Sequence, residues 1–93
     1  MSIKKNKDGR TTFIFKPDRA VQRVYLAGDF NNWAPAARRM AKNRDGSYRA
    51  RLALEPGSYQ YKFIVDGEWL HDPDAPQQRN EHGTLNSVAE VVV

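Results

Sequence analysis

The side chains that could do chemistry in this 93-residue chain are its two tryptophans, its two histidines and its 11 acidic residues. Trp33 in FNNW and Trp69 in DGEW each follow turn-forming polar residues, where another polar side chain would be more usual. An exposed indole is a flat apolar plate of roughly 150–250 Å². The C–H face of a sugar ring fits such a plate. From the spacing alone, an apolar cap on the end of the fold explains each tryptophan equally well.

The acidic and histidine side chains form no recognisable catalytic pattern. Asp66 is explained by the Asp-Gly turn that it begins, and Asp72 and Asp74 by a loop bounded by prolines. The other carboxylates are scattered, and no serine lies in a nucleophile-elbow motif. The spacing of His71 and His82 matches no metal-ligand pattern. We therefore expect no enzymatic activity, no cofactor and no bound metal.

The formal net charge of +4 permits anionic partners, but the basic residues fall in three separate regions of the sequence. One is the N-terminal segment 1–10, and another is the strand with Arg49 and Arg51. The third is a loop that contains Arg38, Arg39, Lys42 and Arg44. Nucleic-acid binders interleave basic and exposed aromatic side chains on one surface. Solvated charges explain this dispersed pattern better, so no nucleic-acid partner is expected.

The composition also limits the cellular compartments in which the protein is expected. The chain has no cysteine, which excludes disulfides and thiolate metal sites and is compatible with a reducing compartment. No apolar run approaches the roughly 20 residues of a membrane span. The start MSIKKNKDGR lacks the apolar segment of a secretory signal. We expect a cytoplasmic protein with no membrane partner.

The elements that must position the tryptophans are predicted to be strands. Alternation of apolar and polar residues with a period of two runs through SYRARLAL (47–54) and YQYKFIV (59–65), and Asp66-Gly67 is a strong two-residue hairpin signal. TTFIF, RVYLAGDF and SVAEVVV are further strands. The aromatic residues expected in the core are Phe13, Phe15, Tyr48, Tyr61 and Phe63. Short strands separated by turns predict an all-β fold, an antiparallel β-sandwich of residues 11–93, preceded by a flexible basic N-terminus, residues 1–10.

Three motifs resemble one family. VYLAGDFNNWAP, DGSYRARLALEPGSYQYKFIVDGEWLHDPDAP and GTLNSV occur in this order. Together they resemble carbohydrate-binding module family forty-eight, the isoamylase N-terminal or early set domains, which includes the glycogen-binding module of the AMP-activated protein kinase beta subunit. The resemblance implies an immunoglobulin-like antiparallel β-sandwich of the early set type. It also implies a module that binds α-1,4-linked glucan, as in glycogen or starch, and does no chemistry.

The same resemblance implies a set of site residues. Trp33 and Trp69 match the two tryptophans that stack on glucose rings, and Lys62 matches a lysine that hydrogen-bonds sugar hydroxyls. Thr84 and Asn86 match the threonine and asparagine that complete the site. These assignments make a glucan oligosaccharide or polysaccharide the expected partner.

One site residue departs from the family pattern. His82 stands where the kinase module has a leucine that packs against the sugar. An imidazole can pack there and can also hydrogen-bond, so we include His82 among the carbohydrate-binding residues. The alternative hypothesis is a protein-interaction module of the same fold that docks onto a glucan-metabolising enzyme or a kinase.

Overall fold

The computed structural model describes the backbone of residues 3–5 and all atoms of residues 10–91. Nine strands and one 3-10 helix, Asp29–Asn31, lie in this part of the chain. The strands are β1 (Ile3–Lys5), β2 (Thr11–Phe15), β3 (Val24–Gly28), β4 (Ala41–Lys42), β5 (Tyr48–Leu52), β6 (Gly57–Val65), β7 (Glu68–Leu70), β8 (Gln77–Arg79) and β9 (Leu85–Val91). The predicted all-β class is confirmed.

The strands form two antiparallel sheets. Sheet A has the strand order β1-β2-β5-β4, and sheet B has the order β3-β6-β9-β8 with β7 paired to β6. Every one of these strand pairs is antiparallel. The sheets pack face to face around one core, which confirms the predicted sandwich.

The strands that the sequence did not predict are short. β4 and β8 have two and three residues, all exposed, and so carry no apolar alternation. β1 falls inside the segment predicted as a flexible N-terminus, where it pairs with β2. Residues 1, 2 and 6–9 of that segment lie outside the described residues, as do residues 92 and 93 of the predicted last strand.

The core is built from the inward faces of β2, β3, β5, β6 and β9. Phe13, Tyr61 and Phe63 are fully buried. Phe13 and Tyr61 meet edge to face with ring centroids 4.9 Å apart, a favourable geometry for aromatic pairs. Tyr48 is also buried and Phe15 packs partly buried against the cluster, so all five predicted core aromatics are confirmed.

A buried polar network fixes the loop that follows β7. The hydroxyl of Tyr61 donates a hydrogen bond of 2.7 Å to Asp72 Oδ2, and the Asp72 amide donates to Ser87 Oγ. The amide of Asp74 donates to Asp72 Oδ1 at 3.0 Å. Asp72 and Ser87 are buried, so these bonds form away from water, where leaving either partner unsatisfied is costly. The network ties residues 72–74 to β6 and β9.

Tyr61→Phe is expected to reduce the loss of stability that the protein undergoes at high pH. Burial, and then the hydrogen bond to Asp72, raise the pKa of Tyr61 above its ordinary value. The unfolded chain therefore loses this proton first, near pH 10. The free energy of unfolding falls above that pH by up to about 1.4 kcal/mol per pH unit. In urea unfolding measured from pH 8 to 11, the free energy of unfolding should therefore fall less steeply with pH in Tyr61→Phe than in the wild type.

At pH 8 the same variant should be less stable by about 1–3 kcal/mol, because the buried carboxylate of Asp72 loses one of its hydrogen-bond donors. Tyr59→Phe is the matched control, since the Tyr59 hydroxyl donates to the exposed carbonyl of Glu55 at 2.7 Å. Parallel curves for wild type and Tyr61→Phe up to pH 11 would contradict the assignment.

Candidate functional site

An open pocket of about 460 Å³ lies on the outward face of sheet B. All six residues predicted for the site line it, and two further residues line it as well. The eight are Trp33, Lys62, Trp69, Asn80, Glu81, His82, Thr84 and Asn86. Four separate parts of the chain therefore meet at one place.

The pairing of strand β6 with its neighbours determines the position of the pocket. Along the edge opposite β3, β6 pairs first with β9, from Gly57 to Tyr61, and then with β7, from Phe63 to Val65. Lys62 falls between the two partners. Because Tyr61 and Phe63 point into the core, Lys62 points outward. Its side chain lies where the outward faces of β7 and β9 meet.

Trp69 lies on β7 directly opposite Ile64 of β6. Its side chain is 44% exposed, whereas Ile64 on the same face is only 5% exposed. The predicted hairpin turn places it there: Asp66 and Gly67 both have positive φ, at 49° and 88°, as this tight turn requires. Trp69 is the large apolar residue that the described chain leaves exposed, and this argues against a core role.

The Asp66 side chain also fixes that hairpin to the rest of the sheet. Its Oδ1 accepts hydrogen bonds from the amides of Gln22, at 3.0 Å, and Arg23, at 2.9 Å. The Asp66 amide donates to the Arg23 carbonyl at 3.0 Å. The turn that carries Trp69 is thus attached to the segment leading into β3.

The turn after β3 packs tightly against β6. A Cβ on Gly28 would lie 2.6 Å from the Gln60 carbonyl oxygen and 2.8 Å from the Phe30 ring, so only glycine fits. Asn31 closes the turn, since its Oδ1 accepts from the Gly28 amide at 3.1 Å and its Nδ2 donates to the Leu26 carbonyl at 3.0 Å. This is the structural reason for the GDFNN sequence.

Trp33 is held by its backbone and by its ring nitrogen. Asn32 and Trp33 both have left-handed backbone, with φ of 55° and 59°, which is uncommon for a residue as bulky as tryptophan. The Trp33 Nε1–H donates to Asp29 Oδ1 at 3.0 Å, and Asp29 Oδ2 accepts from the Gln60 amide at 2.8 Å. Asp29 therefore fixes the half-buried indole to β6 and leaves the ring faces for other contacts.

Asn80 organises the loop between β8 and β9. Its Oδ1 accepts from the amides of His82, at 3.0 Å, and Thr84, at 3.1 Å. Its Nδ2 donates to Thr84 Oγ1 at 2.7 Å and to Asn86 Oδ1 at 3.2 Å. The sequence analysis missed this residue. The available signal was Asn-x-x-Gly, since asparagine side chains often accept from amides in turns and Gly83 supplies a positive φ of 80°.

The polar side chains of the pocket form one connected strip. Lys62 Nζ donates to Thr84 Oγ1 at 3.2 Å, which leaves further N–H groups of the ammonium for a ligand. Asn86 Nδ2 donates to Gln60 Oε1 at 2.9 Å. Asn86 is only 7% exposed, so it supports the floor of the pocket more than it projects from it.

His82 and Glu81 form the rim. Their side chains are 80% and 89% exposed, and His82 Nε2 lies 3.8 Å from Glu81 Oε1. The imidazole therefore lies at the side of the pocket, where it is free to rotate toward a ligand. Among residues 3–5 and 10–91, no group of three His, Asp or Glu side chains is placed to hold a metal ion.

Two indole plates beside a strip of ammonium, hydroxyl and amide groups suit a ligand with flat apolar faces and hydroxyl edges. Sugar rings have both. Within residues 3–5 and 10–91 the helical structure is limited to the three residues Asp29–Asn31, which is far shorter than a membrane-spanning helix.

Asn80→Ala is expected to loosen the β8–β9 loop, whereas Asn80→Asp keeps the two acceptor bonds to the loop amides. Hydrogen exchange at the amides of His82 and Thr84 should speed up about fivefold in Asn80→Ala, the effect of losing a bond of about 1 kcal/mol. The same amides should exchange at near wild-type rates in Asn80→Asp. Unchanged exchange in Asn80→Ala would show that the loop does not depend on this side chain.

Comparison with known proteins shows that most of the chain is similar to one family. The sequence profile described as the glycogen recognition site of AMP-activated protein kinase matches residues 10–93. The pig protein named 5'-AMP-activated protein kinase subunit beta-1 is 38% identical over 78 residues, which cover 84% of this chain and 62% of the relative. Human subunit beta-2 is 36% identical over 90 residues, which cover 97% of this chain and 32% of the relative. The chain thus spans less than two thirds of the length of each of these relatives.

Proposed function

This chain belongs to the family of the glycogen recognition site of AMP-activated protein kinase, and on that premise we propose that its pocket binds α-1,4-linked glucan through the residues predicted from the sequence. One observation carries the proposal. Trp33, Lys62, Trp69, Thr84 and Asn86 come from four parts of the chain and line one pocket with His82.

The two tryptophans supply the apolar part of the proposed contact. Trp69, on the β7 hairpin, offers the more exposed ring. Trp33 offers a ring whose N–H is already bound to Asp29, so it acts as a plate and not as a donor. The Trp33 ring is thus fixed before a ligand arrives, and a fixed platform loses little side-chain entropy on binding.

The strip of polar side chains supplies the hydrogen bonds that would orient the sugar in the pocket. Lys62 retains donors that can reach sugar hydroxyls, and Thr84 Oγ1, which accepts from Lys62 and Asn80, can direct its own proton to a sugar oxygen. Asn86 holds Gln60 and Asn80, so we assign it mainly to the positioning of the strip. His82 at the rim replaces an apolar contact by one that can also form a hydrogen bond.

The function we propose is recognition without chemical change. The family match is to a recognition domain, and the pocket carboxylate, Glu81, is a strongly exposed group at the rim. A cytoplasmic location, expected from the sequence, is part of the same proposal.

A second proposal concerns what the domain serves. The similar proteins are named as subunits of AMP-activated protein kinase, and they are longer than this chain. We propose that the domain brings a kinase or a glucan-metabolising enzyme to the polymer.

Trp69→Ala and Trp33→Ala should each weaken binding of a linear malto-oligosaccharide, measured by calorimetry. By analogy with stacking on nucleic-acid bases, the expected loss is about 1–3 kcal/mol per ring. Trp69→Phe keeps an aromatic plate and should retain more affinity than Trp69→Ala. Thermal unfolding should stay cooperative in all three variants. Wild-type affinity in both alanine variants would refute the proposed site.

His82→Leu tests the departure from the family. An imidazole can form a hydrogen bond to a sugar hydroxyl, which a leucine side chain cannot, and a typical hydrogen bond contributes about 0.5–1.5 kcal/mol. His82→Leu should therefore weaken binding of a linear malto-oligosaccharide by roughly two- to tenfold at constant pH. His71→Leu is the control, since His71 does not line the pocket. Equal affinity in the wild type and His82→Leu would place His82 outside the contact.

A further inference from the structure

The outward face of sheet A carries a groove of about 600 Å³ that the glucan proposal does not use. Four of the residues that line it are arginines: Arg10, Arg38, Arg49 and Arg51. The sequence analysis treated the basic residues as dispersed over three regions. For these four residues that interpretation is wrong, because the fold brings all three regions to one surface.

The strand register explains the clustering. β5 alternates, so Ala50 points into the core while Arg49 and Arg51 point outward. They lie about 7 Å apart along the strand. Arg51 is opposite Thr12 of β2. Arg38 reaches the same face from the segment before β4, where its Nη2 donates to the Arg51 carbonyl at 2.9 Å.

The charges of three of these arginines, Arg38, Arg49 and Arg51, are poorly compensated within the described residues. None of the residues that line it in the range 10–91 is acidic. Arg49 has a loose contact of 3.8 Å with Asp45, and both side chains are about half exposed. The Nε of Arg38 is buried and has no hydrogen-bond partner. A buried donor without an acceptor is unfavourable, and so are like charges held side by side.

We propose that this groove is a second binding site, for a ligand that carries a phosphate group. A phosphate would supply acceptors for several guanidinium groups at once, and the planar fork of arginine fits phosphate oxygens in pairs. The size of the groove is typical of sites for small ligands. Arg49 and Arg51 belong to β5 of sheet A, whereas the glucan pocket lies on sheet B, so the two sites are on opposite outward faces of the sandwich.

The observations favour a small phosphate ligand over a nucleic acid. Single-stranded nucleic acids bind where bases can stack on exposed aromatic rings. The aromatic residues of β2 and β5, namely Phe13, Phe15 and Tyr48, all pack toward the core, and no aromatic residue lines the groove within residues 10–91.

Titration with pyrophosphate, glucose 6-phosphate and a short single-stranded oligonucleotide tests the proposal. Binding is followed by NMR shifts of β2 and β5 amides and arginine Nε–H groups. Arg49→Gln and Arg51→Gln should each weaken binding of the two small phosphates by roughly tenfold, the effect of losing a charge-assisted hydrogen bond. Tighter pyrophosphate binding would indicate a free polyphosphate, and tighter glucose 6-phosphate binding a sugar phosphate. Stronger binding of the oligonucleotide than of either would overturn the proposal in favour of a nucleic-acid site.

Arg79→Gln is the matched control, because it removes the same charge from an exposed position on β8 of sheet B. It should change the phosphate affinity by less than about twofold. Equal losses of phosphate affinity in Arg79→Gln and Arg51→Gln would show that the effect depends only on the overall charge of the protein, and would overturn the proposed site. Arg38 is left unchanged, since it binds the Arg51 carbonyl.

The two sites should be separable. Arg51→Gln should leave malto-oligosaccharide binding unchanged, and Trp69→Ala should leave phosphate binding unchanged. Phosphate binding should also weaken as salt is raised, whereas binding of a neutral glucan should not. Phosphate shifts that are confined to sheet B, or lost in Trp69→Ala, would show that the arginine groove is not the site.

Discussion

The pairing of β6 with two successive partners along one edge is the constraint on which the rest of the structure depends. Along this edge of β6, pairing with β9 ends at Tyr61 and pairing with β7 begins at Phe63, so Lys62 lies between the two partner strands. Because side chains alternate along a strand, a slip of one residue would turn Lys62 into the core and expose Tyr61 and Phe63. Packing of Tyr61 against Phe13 and of Phe63 against Phe15 therefore fixes the register, and the register places the pocket.

Aspartate side chains then fix the loops to this frame. Asp29 joins the Trp33 indole to the β6 backbone, Asp66 joins the β6–β7 turn to the segment before β3, and Asp72 joins the following loop to Tyr61. Carboxylate oxygens suit this work because each can accept more than one hydrogen bond. The acidic residues that a search for catalysis would single out are thus used to hold turns.

Local patterns in the sequence predicted the strands that carry apolar alternation, the Asp66-Gly67 turn and the aromatic core. They did not predict β4 or β8, because these short strands are wholly exposed and their pairing comes from their neighbours. Asn80 was missed because its four hydrogen bonds reach residues of a loop whose shape only the folded backbone defines. Trp33 and Trp69 stood out by their turn-rich surroundings, but their grouping with Lys62, His82, Thr84 and Asn86 came from family resemblance, which local periodicity would not have supplied.

The arginine groove was missed for a related reason. The four arginines lie in three separate segments, at residue 10, at residue 38 and at residues 49 and 51, and the pairing of β2 with β5 brings the first and the last of these segments together. Charge patterns along a sequence cannot show which residues share a face of a sheet when loops also contribute.

The position of the tryptophan pocket on an outward sheet face has a consequence for a polymeric ligand. A closed cavity selects chain ends, whereas a surface with exposed Trp69 and His82 can accept internal units of a chain. A long glucan then offers many overlapping registers to the same few contacts. Its apparent affinity per chain grows with the number of units through this statistical factor, and a released domain is readily recaptured by a neighbouring unit. Retention on a large particle would then reflect ligand length as much as the strength of any single contact.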